Sequence, residues 1–258
     1  MRDIRSADNP KFRQALKLRD SSRERRKRGL TLLDGVHLVQ AYMARVAAPE
    51  VIFVAQSRQG DAEIAAVMSA ASVEPHVLSD SLFAKLSSVA TPTGIAAIVT
   101  VPRPAPPDSA GACVLLEDVQ DPGNVGSILR SAAAAGIREV YLSSECADAW
   151  SPRVLRAAMG AHFVVRLVED VDPAGFAKDY PGRIVATAGD GEMSIYEADL
   201  TGRVGLVFGN EGTGITAAIR ASAHAVVSVP ISAGVESLNV AAAAAVCLFE
   251  RVRQTRAQ

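Results

Sequence analysis

The sequence predicts an α/β protein with two domains: a small N-terminal α/β domain and a larger C-terminal one built on a mostly parallel sheet with helices on both faces. Three observations support this prediction. Short, nearly continuous apolar runs alternate with helical patterns, which is typical of parallel strands covered by helices. A proline-rich segment interrupts the alternation near the middle of the chain. The chain has 258 residues, 49% of them hydrophobic, which is enough for two cores.

The proline-rich segment sets the predicted domain boundaries. Four prolines lie between positions 102 and 107, in the sequence VPRPAPPDSAG. Prolines at this density exclude a helix or a central strand and favour an extended chain. We therefore expect residues 1–100 to form the first domain, 101–111 a linker, and 112–258 the second domain.

The first domain begins with a basic arm, residues 1–28. The arm holds eleven Lys and Arg against four acids, a net charge of +7, so the other 230 residues sum to −8. A basic segment on a mildly acidic body predicts an anionic polymer such as nucleic acid as partner. A solvated helix face or a frayed tail is the alternative interpretation.

The rest of the first domain alternates between the two patterns. One predicted helix, GVHLVQAYMARV, has Val36, Val39, Met43 and Val46 on one side, which we expect to face the core. The other predicted helices are DAEIAAVMSA and DSLFAKLSS. The predicted strands are LTLLDG, VIFVA, PHVLS and GIAAIVTV.

The second domain shows the same alternation more clearly. Its predicted helices are VGSILRSAAAAG, stopped by Gly136; SPRVLRAAMGA, with Pro152 in the first turn; and SLNVAAAAAVCLFERVRQ. Its predicted strands are ACVLLED, EVYLSS, FVVRLV, RIVATAG, VGLVFGN and AVVSVP. In such sheets ligands bind beyond the carboxyl ends of the strands, so the loops found there are the candidate site.

The first of these loops, LLEDVQDPGNVGSILRSAAAAG, leads into a helix that we expect to begin at Asp121 and Pro122. Arg130 is the one charged residue in the otherwise small, apolar helical pattern. We expect it to be buried and to meet an anion, because an unpaired buried guanidinium is costly. An exposed arginine on an amphipathic helix is the alternative.

The other two loops are LVFGNEGTGI and SVPISAGVESLN. The former has three glycines around Glu211, but it matches neither a dinucleotide-binding GxGxxG nor a P-loop, and it can also be a simple glycine-rich turn. In the latter, Ser237 is the predicted cap of the last helix and Glu236 complements its dipole. Asn239 is predicted to be buried and to need hydrogen-bond partners.

Taken in order, NxGxxxR, GNEGxG and VPISxGVESLNVAAAAA resemble the three motifs of the SpoU-type (SPOUT superfamily, TrmH-like) RNA 2′-O-ribose methyltransferases. The resemblance runs from Cys113 to about Arg253. The N-terminal half, around NPKFRQALKL and LLDGVHLVQA, resembles the L30e-like RNA-binding domain that many of these enzymes carry. The resemblance implies a deep trefoil knot around residues 209–240, S-adenosylmethionine as cofactor, and a homodimer. Small residues, Gly234 and Ala241–Ala245, fit the close backbone approach that a knot requires.

The resemblance also implies site residues. Arg130 is the expected catalytic residue, either as a base after losing its proton or as a charge that stabilises the developing alkoxide. The other expected catalytic residues are Asn124, Glu211, Ser237 and Asn239. The expected cofactor-binding residues are Thr187, Gly209, Val229, Ile231 and Leu238.

The function implied is S-adenosylmethionine-dependent methylation of a ribose 2′-hydroxyl in structured RNA, with rRNA favoured over tRNA. A catalytically inactive RNA-binding or ribosome-associated protein of the same fold is the main alternative. A Rossmann-type oxidoreductase is disfavoured because no acid follows a GxGxxG at the needed spacing.

Composition argues against other classes of protein. The three cysteines (Cys113, Cys146 and Cys247) show no metal-ligand spacing, so we expect no metal site and a reducing compartment. We also expect no membrane span, because no apolar run is long enough, and no signal peptide, because the first residues are polar. A cytoplasmic location follows as an expectation.

Overall fold

The computed structural model describes residues 2–89, 91–104 and 111–256, whose contacts form two compact units. The first unit contains the described residues up to Arg103 together with Trp150–Phe163, and the second contains the rest. The units differ from the predicted domains in two places: Trp150–Phe163 is grouped with the first unit, and the first unit extends to Arg103, inside the predicted linker. Most of the predicted linker, residues 105–110, lies outside the described residues.

The first unit is built on a five-stranded mixed sheet with the order β1-β4-β3-β5-β2. The three strands β1, β4 and β3 run parallel, whereas β5 is antiparallel to both β3 and β2. All four strands predicted here are present. The strands are β1 (Arg2–Ile4), β2 (Leu30–Asp34), β3 (Val51–Ala55), β4 (His76–Leu78) and β5 (Ile95–Thr100).

The basic arm is part of this unit and is not a frayed tail. It folds as β1 and two helices, α1 (Pro10–Asp20) and α2 (Ser22–Arg28). Asn9 caps α1 by accepting hydrogen bonds from the next two free backbone N–H groups, and Ser21 caps α2. The apolar side of α1 is buried in the core. Deleting the arm would therefore remove core packing as well as charge.

The remaining helices of the first unit lie where they were predicted, but the buried face of one differs. They are α3 (Val36–Arg45), α4 (Ala62–Ala70), α5 (Asp80–Leu86) and α7 (Pro152–Ala158). In α3 the buried residues are Val36, Leu38, Val39 and Tyr42. The prediction was wrong for Met43, which is half-buried, and for Val46, which is exposed because the helix ends before it.

The second unit is built on a seven-stranded sheet with the order β10-β12-β9-β11-β6-β7-β8, in which every pair is parallel. The predicted parallel sheet is confirmed. Its strands are β6 (Cys113–Leu116), β7 (Glu139–Leu142), β8 (Arg166–Val168), β9 (Arg183–Thr187), β10 (Met193–Ser194), β11 (Val204–Phe208) and β12 (Ala225–Ser228).

Four helices accompany this sheet in the described residues. They are α6 (Pro122–Ala134), α8 (Pro173–Asp179), α9 (Ala217–Ser222) and α10 (Val240–Arg256). Asp121 caps α6 and Pro122 opens it, as predicted. The last helix, α10, begins three residues later than predicted and packs on α6 and β11. The trefoil knot stays a prediction.

No helix within the described residues has the length and apolar character needed to cross a membrane.

Candidate functional site

Three loops carry the predicted site residues, and each follows the carboxyl end of a strand of the seven-stranded sheet. The first follows β6 and leads into α6, the second follows β11, and the third lies between β12 and α10. Because β6 and β11 are neighbours and all pairs are parallel, these ends meet at one edge of the sheet. The sequence prediction that the loops share a site is consistent with this topology.

The glycine loop after β11 is closed by its own backbone. Asn210 and Gly214 exchange two backbone hydrogen bonds of 3.1 and 3.0 Å. The Asn210 side chain accepts from the backbone N–H of Gly212 at 2.9 Å and donates to the Asp118 carbonyl at 2.8 Å. A side-chain carbon at Gly209 would overlap the Gly214 backbone. Glycine at position 209 is therefore required for the loop to fold back on itself.

Side chains from the three loops join in one hydrogen-bonded chain. The Glu211 carboxylate accepts from Asn124 Nδ2 at 2.9 Å and from the backbone N–H of Asp121 at 3.1 Å. Asn124 Oδ1 in turn accepts from Asn239 Nδ2 at 2.9 Å. Asn239 Oδ1 accepts from the backbone N–H of Ala241 at 2.9 Å. We call Glu211, Asn124 and Asn239 the relay.

The hydrogen bonds of the relay have a fixed donor-to-acceptor direction. Burial acts to raise the pKa of Glu211, but hydrogen bonds from Asn124 and from backbone N–H groups outweigh it, so the pKa lies below its ordinary value. The ionised carboxylate can only accept, which turns the Asn124 amide so that its nitrogen donates to Glu211. At the other end the N–H groups of α10 can only donate. Both amide orientations are therefore determined by the ends of the relay.

Asn239, rather than Ser237, caps the last helix. Its side chain accepts from the first free N–H groups of α10, at Ala241 and Ala242. The prediction that Ser237 is the cap was wrong because α10 begins at Val240, which places Ser237 beyond reach of a cap position. Asn239 is also exposed, not buried as predicted. The alanine run that suggested burial starts only after it.

Arg130 is exposed, contrary to the prediction that it is buried. It lies on α6, six residues beyond Asn124, and within the described residues it makes no hydrogen bond or ion pair. The face of α6 that packs inward carries Val125, Ile128, Leu129 and Ala132. Its guanidinium is thus available to a ligand without breaking any contact.

A cavity of about 540 Å³ opens beside the glycine loop, and we call it the second-unit cavity. All five predicted cofactor-binding residues line it, namely Thr187, Gly209, Val229, Ile231 and Leu238. Glu211, Ser237 and Asn239 line it as well, whereas Asn124 and Arg130 do not. The relay thus runs from the wall of the cavity to the start of α6.

Two contacts that the sequence prediction missed hold this region together. The buried carboxylate of Glu117 accepts from the Thr216 hydroxyl at 2.7 Å and from its backbone N–H at 2.9 Å, which anchors the end of the glycine loop. On the cavity wall, Arg220 forms an ion pair of 2.6 Å with Asp190. An acid directly after a buried strand was the signal for Glu117. The ion pair had no sequence signal, because its partners lie 30 residues apart.

The three cysteines lie apart from this site. Cys113 and Cys247 are buried, and burial raises the pKa of each thiol to about 12. Cys146 is half-buried. In the part of the chain that the structure describes, no group of three or more His, Cys, Asp or Glu residues could hold a metal ion.

Comparison with known proteins identifies the family. A sequence model described as the SpoU rRNA methylase family matches residues 111–249. The chain belongs to the SpoU rRNA methylase family. A second model, the MRM3-like substrate binding domain, matches residues 9–97. The resemblance noted for both halves of the sequence is confirmed.

Two relatives of this SpoU-family chain are similar to it over nearly their whole length. An uncharacterized tRNA/rRNA methyltransferase of Synechocystis is 32% identical, covering 97% of this chain and 93% of the relative. The 23S rRNA (guanosine(2553)-2′-O)-methyltransferase RlmP of Bacillus subtilis is 31% identical, covering 96% and 98%. The solved structure of the SpoU methyltransferase AviRb from Streptomyces viridochromogenes, in complex with the cofactor AdoMet, superposes with a TM-score of 0.85 at 26% identity, covering 96% and 98%.

Proposed function

We propose that this chain is an S-adenosylmethionine-dependent methyltransferase that methylates a ribose 2′-hydroxyl in structured RNA, with rRNA favoured over tRNA. One observation carries the proposal: every predicted cofactor-binding residue lines a single cavity, and the relay connects its wall to the helix that bears Arg130. The 23S rRNA 2′-O-methyltransferase among the relatives supports the choice of rRNA.

The second-unit cavity fits this cofactor in shape and charge. Val229, Ile231 and Leu238 offer apolar surface for an adenine ring, and the bare backbone at Gly209 allows close approach. Its charged lining consists of three acids, Asp190, Glu211 and Glu236, against Arg220. An acidic lining suits a cofactor that carries a sulfonium and an ammonium against one carboxylate. When bound, S-adenosylmethionine supplies an electrophilic methyl group.

Arg130 has the role of stabilising charge on the substrate side. Because the guanidinium is exposed and has no partner within the described residues, of its two expected roles we favour the electrostatic one. It can bind a ribose phosphate through two parallel hydrogen bonds and stabilise the alkoxide that develops at the 2′-oxygen, while phosphate or water takes the hydroxyl proton. Asn124 and Asn239 orient the groups around it through the relay, and Ser237 offers a hydroxyl at the cavity wall.

The basic arm supplies affinity for RNA. Four of its exposed cations, Arg13, Lys17, Arg23 and Lys27, have no hydrogen bond or ion pair within the described residues. Others are already paired, such as Arg2 with Glu74 and Arg28 with Glu24. Phosphate contacts from the four unpaired cations would fix the RNA without reading its sequence.

A homodimer is part of the same proposal. Several large apolar side chains of the second unit are exposed: Ile231 at 39%, Val235 at 54%, Leu238 at 39% and Phe249 at 50%. Exposed apolar surface is typical of a region that another subunit covers. Light scattering of the purified chain at micromolar concentration should report twice the monomer mass, and a monomer would contradict this part. The cytoplasmic location stays a prediction.

The decisive experiment measures methyl transfer and its position together. The purified chain is incubated with radiolabelled S-adenosylmethionine and, separately, unmodified rRNA and tRNA, and 2′-O-methylation is mapped by its resistance to alkaline cleavage. We expect one or a few sites in rRNA and none with Arg130→Ala. Cofactor binding without methylation of any RNA would instead favour the catalytically inactive RNA-binding protein.

A further inference from the structure

A second cavity, of about 520 Å³, lies in the first unit, and none of the predicted catalytic or cofactor-binding residues lines it. We call it the first-unit cavity. Its walls come from the start of α3, the 3₁₀ turn Gln56–Arg58, the start of α4, residues 91–93, and α7. The sequence of α7 lies within the matched methylase region, so this cavity is completed by a segment outside the matched substrate-binding region.

Two arginines line the first-unit cavity without partners. Arg58 and Arg156 are both exposed, and neither makes a hydrogen bond or an ion pair within the described residues. The stem of Arg58 crosses Gly94, whose φ is +96°, and a side-chain carbon at that glycine would overlap Cβ and Cγ of Arg58. The missing side chain at Gly94 therefore leaves room for the stem of Arg58.

The backbone adds positive potential at the same place. The first turn of α3, Val36 to Leu38, lines the cavity, and its N-cap residue, Gly35, offers no side-chain acceptor to the free N–H groups. Free N–H groups and the helix dipole at such an end favour an anion. These N–H groups and the two guanidinium groups line the same cavity, which suits a phosphate.

Three carboxylates also line the cavity, and two are engaged elsewhere. Asp34 is buried and accepts from the Ser87 hydroxyl at 2.7 Å, and Asp61 caps α4 by accepting from the backbone N–H of Glu63 at 3.0 Å. Glu63 lies in the first turn of α4, whose dipole it complements. The lining is thus mixed, with cations for a phosphate and a carboxylate that can accept from a base.

We propose that the first-unit cavity binds one unpaired nucleotide of the RNA substrate, with its phosphate at Arg58, Arg156 and the start of α3. The volume suits a group of this size. Met159, which is 51% exposed, offers a polarizable surface to the base, and Glu63 accepts a hydrogen bond from its edge. This proposal rests on the proposed function, since it takes the substrate to be RNA.

The test uses the full chain and overlapping fluorescent fragments of unmodified large-subunit rRNA. The double variant Arg58→Gln/Arg156→Gln is compared with Arg45→Gln, which removes an exposed, unpaired arginine at the other end of α3. We expect the double variant to bind its best fragment about tenfold or more weakly. The slope of log affinity against log salt concentration should fall in magnitude by roughly 0.7–0.9 for each phosphate that is no longer neutralised. Arg45→Gln should change affinity less than about twofold.

Each other outcome has a definite meaning. An equal loss for Arg45→Gln would overturn the site, because only overall charge would matter. If the double variant loses binding of free guanosine or uridine monophosphate but keeps its RNA affinity, the ligand is a small free nucleotide. The proposal that the cavity binds a nucleotide of RNA is then wrong. Unchanged binding of both ligands overturns the proposal entirely.

Failure of the proposed function can be told apart from failure of this site. S-adenosylmethionine affinity, measured by calorimetry, should be the same for the double variant and the unaltered chain, because neither arginine lines the second-unit cavity. If the unaltered chain methylates no RNA while the double variant still loses RNA affinity, the nucleotide site stands and the methyltransferase proposal does not.

Discussion

The two cavities are nearly equal in volume, about 540 and 520 Å³, but their arginines are in opposite states. In the second-unit cavity, Arg220 is held by Asp190 at 2.6 Å. In the first-unit cavity, Arg58 and Arg156 have no partner within the described residues. A paired arginine already donates to a carboxylate of the protein, whereas an unpaired one is available to an incoming anion.

The difference indicates that volume alone does not identify a ligand. The second-unit cavity combines apolar side chains, a backbone closed on itself and an excess of acids, which suits a cationic cofactor. The first-unit cavity also has three carboxylates, but Asp34 and Asp61 are engaged by other groups, and its two arginines are free beside a helix start, which suits a phosphate. Charge pairing around each cavity therefore distinguishes the two better than their size.

The largest expected effect is a loss of methyl transfer without a loss of cofactor binding in the second unit. Arg130→Ala should reduce methyl transfer by about 100-fold or more, because a group that stabilises developing charge is lost. Arg130→Lys should also fail, since a point charge cannot reproduce the planar fork. Single-turnover assays at saturating RNA measure this, with cofactor affinity expected to stay unchanged. Rates close to those of the unaltered chain would move the role to Ser237, Asn239 or Glu211.

A matched pair of glycines tests which cavity holds the cofactor. Gly209→Ala should weaken S-adenosylmethionine binding about tenfold or more, because its Cβ would overlap the Gly214 backbone and open the loop. Gly212→Ala is the control, since its Cβ would meet only Asn210 Oδ1 at 3.5 Å. Calorimetry gives both affinities. If both variants bind S-adenosylmethionine as tightly as the unaltered chain, the cofactor does not depend on the glycine loop, and the assignment of the second-unit cavity to the cofactor is wrong.

A smaller effect concerns the wall of the second-unit cavity. Asn239→Ala should lower the free energy of unfolding by about 1 kcal/mol, because α10 loses its cap. Ser237→Ala should change it by less than about 0.5 kcal/mol, as is usual for an exposed position without contacts. Urea unfolding of both variants measures the difference. Equal destabilisation would return the capping role to Ser237.

The smallest expected effect is a pH dependence of the relay. The pKa of Glu211 in the folded protein lies below its ordinary value of 4.5, so the stability it contributes is present above pH 4.5 and is lost as the pH falls through the lower folded value. Glu211→Gln should remove this part of the acid response. Urea unfolding at several pH values below 5 compares the two proteins. Identical profiles would mean that the relay does not depend on the carboxylate charge.

Much of the fold could be predicted because the pattern of apolar and capping residues in each strand or helix is contained in a short stretch of sequence. The five-residue strands β3 and β11 are entirely buried and read as unbroken apolar runs. Asp121 followed by Pro122 marked the start of α6. The short elements β1, β10, α8 and α9 were missed, because a period is hard to recognise in so few residues.

What could not be predicted depends on contacts between distant parts of the chain. Trp150–Phe163 belongs with the first unit, where the Thr31 hydroxyl donates to the Trp150 carbonyl at 2.6 Å across 119 residues. Likewise, the exposure of Arg130 is decided by which face of α6 the other helices cover. The motif residues were found by resemblance, but the direction of the relay became visible only with all three loops in place.

The position of β11 in the sheet has a consequence for how the protein is made. β11 pairs with β6, although roughly 90 residues separate the two strands, and such distant parallel pairing is slow to form. At a synthesis rate of about 5–20 residues per second, β6 waits on the order of 5–20 seconds for this neighbour to emerge. During that interval one edge of β6 is unpaired, and an unpaired strand edge favours aggregation. The nascent chain therefore exposes an unpaired inner strand edge between the synthesis of β6 and that of β11.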